Sequence, residues 1–276
     1  MIFIILIVLL ILVVSLSEIV NNDNGLGKYI DYEAALQSAK LSNCLCVGIK
    51  CKDGALLAAI PRSYKENNKN DNDNKNALSN NINVGIARWI EEERKYLYKI
   101  DECIGAAIVG IPSDTTHVVQ LLREESLEYR SKMGLPIPLS LLADSVSDYF
   151  YNLISADDTR PLAVDIILTS SDDSYDAIHD TDKFNTNIIK LDNSGSYEEC
   201  NFCTTKTLID DSTDDKLSII DKCTDELTKV QWNALSCQEA SIEIQKFAST
   251  FFGMNDFKPQ ISFIQNWKYI NNAADL

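Results

Sequence analysis

The spacing of apolar and polar positions changes several times along the chain, and each change marks an element. Residues 27–41 set Tyr29, Tyr32, Leu36 and Ala39 three or four apart with Asp31, Glu33, Gln37 and Lys40 between them, which predicts an amphipathic helix. Cys44 to Lys50 and Ala55 to Ile60 are short apolar runs separated by Lys52-Asp53-Gly54, and Asp-Gly between such runs predicts a β-hairpin. From Lys65 to Asn83 the chain is almost wholly Asn, Lys, Asp and Ser, too poor in apolar side chains to order itself, and reads as a surface loop inserted in the domain. Order returns over Ala87 to Ile100, and Ile104 to Val109 is a small-residue buried strand closed by Gly110 and Pro112.

Two helices follow. Asp114 is expected as the N-cap of the first, whose stripe is Val118, Leu121, Leu122, Leu127 and Tyr129 and whose stop is Gly134. Pro138 suits the first turn of the second, with Leu139, Leu142, Val146, Tyr149 and Leu153 on its buried face. Leu162 to Thr169 is a continuous apolar run, expected as a central strand, with an acidic turn at Asp172-Asp173. Asn187 to Leu191 and Ser196 to Thr204 form an expected hairpin around Asn193-Ser194-Gly195. After an acidic loop at 210–215, helical spacing runs through about 216–252, and Phe257 to Ile264 and Trp267 to Ile270 read as closing strands. Strands, helices, strands, helices, strands, without strict alternation, define an α+β layered domain.

Composition narrows the function. With 45% apolar and 24% charged residues the chain is globular, and its net charge of −16 repels phosphate backbones and anionic lipid heads, so neither nucleic acid nor an acidic membrane is an expected partner. The eight cysteines, at 44, 46, 51, 103, 200, 203, 223 and 237, are spread over a chain large enough to need no disulfide staples, and read as reduced, mostly buried thiols. Cys200 and Cys203 approach a metal-ligand spacing, but His117 and His179 stand outside any ligand pattern, so neither metal nor cofactor is expected. Ile2 to Val14 is wholly apolar, shorter than a bilayer span and of signal-core length, with a small-x-small pattern at Ser15-Leu16-Ser17. No basic residue precedes it, and residues 1–20 read as a signal or anchor, with a buried apolar terminus or a misplaced start as the alternatives.

Ile100-Asp101, Ile104-Gly105, Gly110-Ile111-Pro112-Ser113-Asp114 and Gly134-Leu135-Pro136-Ile137-Pro138 stand in one order. Arg160-Pro161-Leu162-Ala163-Val164 and Asp192-Asn193-Ser194-Gly195-Ser196-Tyr197 continue it, and Gly27-Lys28 with Glu33 and Ala35 precedes it. The set resembles the 20S proteasome alpha-type subunit family, whose elements read G-[LM]-x-[AP]-D, R-P-[FLY]-G-V, D-P-[SA]-G-x-Y and G-R-L-x-Q-V-E-Y-A. The resemblance covers about 27–270 with 65–83 inserted; Tyr96 to Ile100, Arg160-Pro161-Leu162 and Asp256-Phe257-Lys258-Pro259 look most like alpha type-6. It implies the four-layer αββα sandwich of the N-terminal-nucleophile hydrolases and a non-catalytic place in a heteroheptameric alpha ring. The implied partners are other alpha subunits, the beta ring and a regulatory or activator particle. The implied setting is ubiquitin-dependent protein degradation in cytoplasm and nucleus.

By the same resemblance, Gly27, Lys28, Glu33 and Ala35 mark a subunit interface, and Lys95, Tyr96 and Lys99 stand near the family's activator-docking pocket. Two departures weaken a gating role: no Y-D-R element precedes the first helix, and Tyr96 falls where the docking pocket has a lysine. Catalytic sister subunits use an N-terminal threonine; counting back from Asp53-Gly54 puts that position on Cys44, a chemically plausible nucleophile. The supporting aspartate position falls on Ile60 with no acid between Ala55 and Arg62, so a strand cysteine is expected over a self-processing amidohydrolase. The third reading is a secreted or membrane-anchored protein that reuses the fold for binding, carried by residues 2–14 alone.

Overall fold

The computed structural model describes residues 31–39, 44–61, 94–156, 159–172, 185–205, 219–252, 259–265 and 268–271. The apolar segment at 1–20, Gly27, Lys28, the 65–83 insertion, His179 and the acidic turn after Asp172 lie outside them. Residues 31–39 are helical (α1), inside the expected 27–41 helix. The hairpin forms as expected: β1 (Cys44–Cys51) pairs antiparallel with β2 (Gly54–Pro61), with Cys51 opposite Gly54 across the Lys52-Asp53 turn. Then come β3 (Leu97–Lys99), β4 (Ile104–Gly110), α2 (Pro112–Met133), α3 (Leu139–Ser155), β5 (Val164–Asp172), β6 (Asn185–Leu191), β7 (Tyr197–Glu199) and β8 (Phe202–Thr204). The chain continues through α4 (Ile219–Thr228), a 3-10 turn at Trp232–Ala234, α5 (Cys237–Phe252), β9 (Gln260–Gln265) and β10 (Lys268–Asn271).

The strands make two antiparallel sheets, ordered β10-β9-β2-β1-β8 and β3-β4-β5-β6-β7, in an α+β fold. Side chains alternate across each strand, and the two faces divide by size. Cys44, Cys46, Ala55, Leu57 and Ala59 from one sheet meet Ala107, Val109, Ile167 and Ile188 from the other. The opposite face of the first sheet sends Leu45, Val47, Ile49, Leu56 and Ile60 against Leu227 of α4, Trp232, and Cys237, Ala240, Ile244 and Ala248 of α5. That of the second packs Ile104, Ile108, Ile166 and Leu168 against Val118 and Leu122 of α2 and Leu139, Leu142, Val146 and Phe150 of α3. Both faces being covered, these strands read in the sequence as continuous apolar runs.

Three expectations change. Asp114 is not the N-cap of α2: the helix starts at Pro112 after Ile111, and Asp114 sits at its third position. Leu127 is 68% exposed, off the expected stripe, because Ser126 takes the inward position one turn beyond Leu122 and donates to Asp101 Oδ2 at 2.8 Å. Ser196 to Thr204 is not one strand. β7 pairs with β6, whereas β8 joins the other sheet beside β1. Between them Cys200 N–H donates to Ile188 at 3.0 Å and the Asn201 carbonyl accepts from Lys50 N–H at 2.8 Å, so the backbone is bonded to both sheets as it crosses. Gly134 ends α2 in the left-handed region at φ 73°, as expected.

Gly48 marks the closest approach between the sheets. A Cβ there would lie 2.7 Å from Ile167 Cγ2, 3.1 Å from Cys203 Sγ and 3.2 Å from Ile188 Cγ2. All three neighbours are buried. Gly48→Val overpacks this layer and is expected to lower unfolding free energy by about 1–3 kcal/mol, read as a lower urea midpoint at unchanged slope.

Candidate functional site

Three of the motifs, at 110–114, 160–164 and 192–197, meet at one corner of the molecule. Pro112 opens α2 without needing the hydrogen bond its missing N–H would make, which places Asp114 in the first turn. Asp114 is 2% exposed, and its carboxylate takes Arg160 in a fork: Nη2 to Oδ1 at 2.6 Å and Nη1 to Oδ2 at 2.8 Å. Oδ2 also accepts from the Ala163 N–H at 2.9 Å. The Ala163 carbonyl accepts from Ile111 N–H at 3.0 Å, and a Cβ on Gly110 (φ 146°) would lie 2.1 Å from that carbonyl, so only glycine fits there. The two motifs at 110–114 and 160–164 are thus one clamp.

The clamp carries α1. Ala35 and Ala39 pack on Ala163 in a small apolar cluster, so the N-terminal helix rests on the residue whose backbone Asp114 holds. Tyr32, Leu36 and Ala39 then wall a pocket of about 290 Å3. Its other walls are Val164, Asp165, Lys190 and the turn that carries the last motif, through Asp192, Asn193, Ser196, Tyr197 and Glu198. That turn is built locally: Asp192 Oδ1 accepts from Ser194 N–H at 2.9 Å, Gly195 N–H donates to Asp192 at 3.1 Å, and Gly195 sits at φ 84°. Helix α3 holds it from below, Ser147 donating to the Gly195 carbonyl and Asp144 accepting from the Tyr197 hydroxyl.

Asn193 is the irregular member. It is 1% exposed, and neither Nδ2 nor Oδ1 finds a hydrogen-bond partner. The family turn has proline at this place, which carries no polar side chain. A buried amide without partners costs on the order of 1–3 kcal/mol.

A second clamp fixes the C-terminal end of α2. Asp101 Oδ2 accepts from Arg130 at 2.7 Å as well as from Ser126, and Oδ1 accepts from Glu102 N–H at 2.7 Å. Burial works to raise the Asp101 pKa, but Arg130, the Glu102 N–H and Ser126 outweigh it and hold the carboxyl below its usual value. The Arg160 bonds, against the cost of burial, likewise hold Asp114 low.

Of the residues expected to face partners, Ala35 is buried under α1 and Glu33 is half-exposed on it. Lys95 and Lys99 are exposed; Lys99 offers its carbonyl to Arg123, and the Lys95 ammonium lies 5.7 Å from the Tyr98 ring centre. Tyr96 is 2% exposed in the layer between the sheets, with Arg94 stacked 5.3 Å from its ring centre.

Cys44, the first residue of β1, is 1% exposed, and burial followed by the neighbouring Cys46 thiol drives its pKa well up. Ile60, opposite Leu45, supplies no charge. The raised pKa favours the neutral thiol, and the side chain packs between the sheets as a small apolar group. Among the described residues no group of His, Cys, Asp and Glu is arranged to hold a metal ion, and His117 is 2.7 Å from the Tyr149 hydroxyl. No helix among the described residues is long and apolar enough to cross a membrane.

Comparison with known proteins falls on this corner. Residues 87–205 match the family described as Proteasome subunit, a span that contains both clamps and the 192–197 turn. The chain is 29% identical over 119 residues to a probable proteasome subunit alpha type-7 of Schizosaccharomyces pombe, covering 43% of this chain and 39% of that protein. It is 35% identical over 79 residues to a proteasome subunit alpha type-3 of Drosophila melanogaster, covering 28% and 30%. A proteasome subunit beta 1 of Thermococcus onnurineus is 30% identical over 112 residues, covering 41% and 45%. The resemblance to the proteasome alpha-type family therefore holds, and residues 87–205 are where the chain matches the proteasome-subunit family. These relatives are of types 7 and 3 and do not single out type 6; the matches span less than half of each relative's length.

The depressed Asp114 pKa fixes a sign. Because the folded value lies below the unfolded one, the carboxylate stabilises the fold above roughly pH 4. That stabilisation is lost as pH falls through the folded value. Arg160 is 59% exposed, which moderates the ionic part. Asp114→Asn is expected to lose about 2 kcal/mol near neutral pH, and the gap from wild type is expected to hold down to about pH 4 and to narrow as pH falls further, measured by urea unfolding across the acid range.

Proposed function

We propose that this chain is a non-catalytic structural subunit of the proteasome core alpha ring, contributing to ring assembly and to the port through which substrates of ubiquitin-dependent degradation pass. The observation that carries the reading is the convergence of the motifs on α1. The clamp at Asp114 and Arg160, the alanine contact at Ala163 and the 192–197 turn together present the N-terminal helix at one corner. The buried, neutral Cys44 thiol supports the non-catalytic part. The succession of outer helices, two sheets and outer helices fits the four-layer αββα sandwich of the N-terminal-nucleophile hydrolases. The partners proposed are other alpha subunits, the beta ring and a regulatory particle, in cytoplasm and nucleus.

Native isolation of the C-terminally tagged full chain, sized and identified by mass spectrometry, tests this directly. Co-isolation with alpha and beta subunits in a particle the size of the core is expected. A monomer whose chain begins at Cys44 would instead mean a self-processing hydrolase, and recovery in membrane or medium would mean a secreted or anchored binding protein.

A variant separates assembly from folding. Ala35→Arg forces a long cation into the Ala163 contact and is expected to abolish incorporation into the particle while near-native far-UV circular dichroism is retained. Normal incorporation would remove α1 from the interface.

A further inference from the structure

The Cys200 and Cys203 pair is absorbed neither by the proposed assembly role nor by a metal. Cys200-Asn201-Phe202-Cys203 is the segment on which the chain leaves β7 and enters β8 in the other sheet. The crossing brings the two side chains to one place: Cys203 packs with Ile188 in the layer between the sheets, and Cys200 packs against the same cluster, its thiol 3.9 Å from the Ile188 carbonyl. Their surroundings differ. Cys203 is 6% exposed in the layer between the sheets, its sulfur close to Gly48, whereas Cys200 is only half-buried at the rim of that layer. The neighbouring Cys203 thiol lowers the Cys200 pKa against the effect of its own burial, while Cys200 and burial raise that of Cys203. Lys190 acts to lower Cys200 and Glu198 to raise it.

Two thiols three residues apart, one reachable and one shielded behind it, are the arrangement of an attacking and a resolving cysteine. The remaining described thiols, Cys44, Cys46, Cys51, Cys103 and Cys237, are all buried.

We propose that Cys200 and Cys203 are a reversible redox site, closed to an intramolecular disulfide by a peroxide. The Cys200 thiolate attacks one peroxide oxygen, forming an S–O bond as the O–O bond breaks. Sulfur loses two electrons to the peroxide, and the departing hydroxide takes up a proton as water. The Cys203 sulfur then attacks the Cys200 sulfenic acid; the S–S bond forms, the S–OH bond breaks, and the hydroxide leaves with the Cys203 proton as a second water. The sum is two thiols and one hydrogen peroxide giving one disulfide and two waters. A thiol reductant reverses it.

Only two residues lie between the cysteines, so the closed loop is too short to restrain the unfolded chain much, and the effect is local. It falls on Phe202, enclosed by the pair, whose ring stacks on Trp232 with planes 4° apart and centres 6.3 Å apart. Asn201, Phe202 and Trp232 line one surface groove, so the redox state of the pair is felt there.

The test is peptide mapping of the folded full chain. The reduced protein is treated with hydrogen peroxide in slight molar excess, unfolded, alkylated and digested, with and without a reductant before alkylation. The peptide holding both cysteines is expected to lose both alkyl adducts and two hydrogens in mass ahead of peptides holding the other described cysteines, and to regain both adducts after reduction. In Cys203→Ser, dimedone is expected to label Cys200 as the sulfenic acid. Retention of both adducts while another described cysteine oxidises first would overturn the proposal, as would direct passage of Cys200 to sulfinic acid in the wild type. The wild-type mapping decides the matter even if the variant fails to fold.

Discussion

The carboxylate of Asp114 is the constraint on which the corner rests. A charge removed from water must be matched by donors held in place, and this one has four: two from Arg160, one from the Ala163 backbone and one from the Ser113 hydroxyl. Its position in the first turn of α2 adds the favourable field of a helix N-terminus. The consequence extends beyond the ion pair. The Ala163 bond fixes where β5 begins, β5 is the middle strand of its sheet, and α1 lies on the same alanine. One buried acid thereby sets the relation between the N-terminal helix, the central strand and the helix layer, which is a stronger role than capping a single helix.

The two sheets impose the other restriction. The inner face of the first sheet is built from Cys, Ala and Gly along β1 and β2 with Leu57 as the large member, and its outer face mainly from Leu, Ile and Val. Small side chains let the sheets approach; large ones fill the space beneath the helices. The cysteines at 44 and 46 belong to this division by size, which explains their place in a strand without any chemistry. Gly48 continues the same face at a point where even a methyl group would meet Ile167.

Elements that depend on local periodicity were legible in the sequence. The β1–β2 hairpin was announced by Asp53-Gly54, and the end of α2 by Gly134. The central strand was announced by an unbroken apolar run, which is what a strand covered on both faces requires. The clamp was not legible as a clamp. Asp114 has the chemistry of an N-cap, and its partner Arg160 stands 46 positions away, so only the fold could pair them. Pro112 was the available sign that the helix had already begun. The sheet crossing at Cys200 was hidden for the opposite reason: β7 and β8 are too short to show separate periods, and the backbone bonds that part them come from Ile188 and Lys50, distant in sequence. For the site, the motifs identified which segments mattered, while the contact that joins them, alanine on alanine beneath α1, carries no distinctive chemistry at all.

Asn193 shows how a frame of this kind accommodates change. Its turn is held by bonds that do not involve its own side chain: Ser194 and Gly195 close it through Asp192, and Ser147 and Tyr197 tie it to α3. The shape therefore survives an amide at a position where the family has proline, even though that amide is buried without a partner. What changes is the character of the pocket wall beneath α1, which combines this amide with Asp165, Asp192, Glu198 and Lys190. The geometry that positions the helix is kept by the clamp and the turn, and the chemistry presented beside it differs. Backbone-directed bonds of this kind let a chain keep its frame while the surface beside it changes.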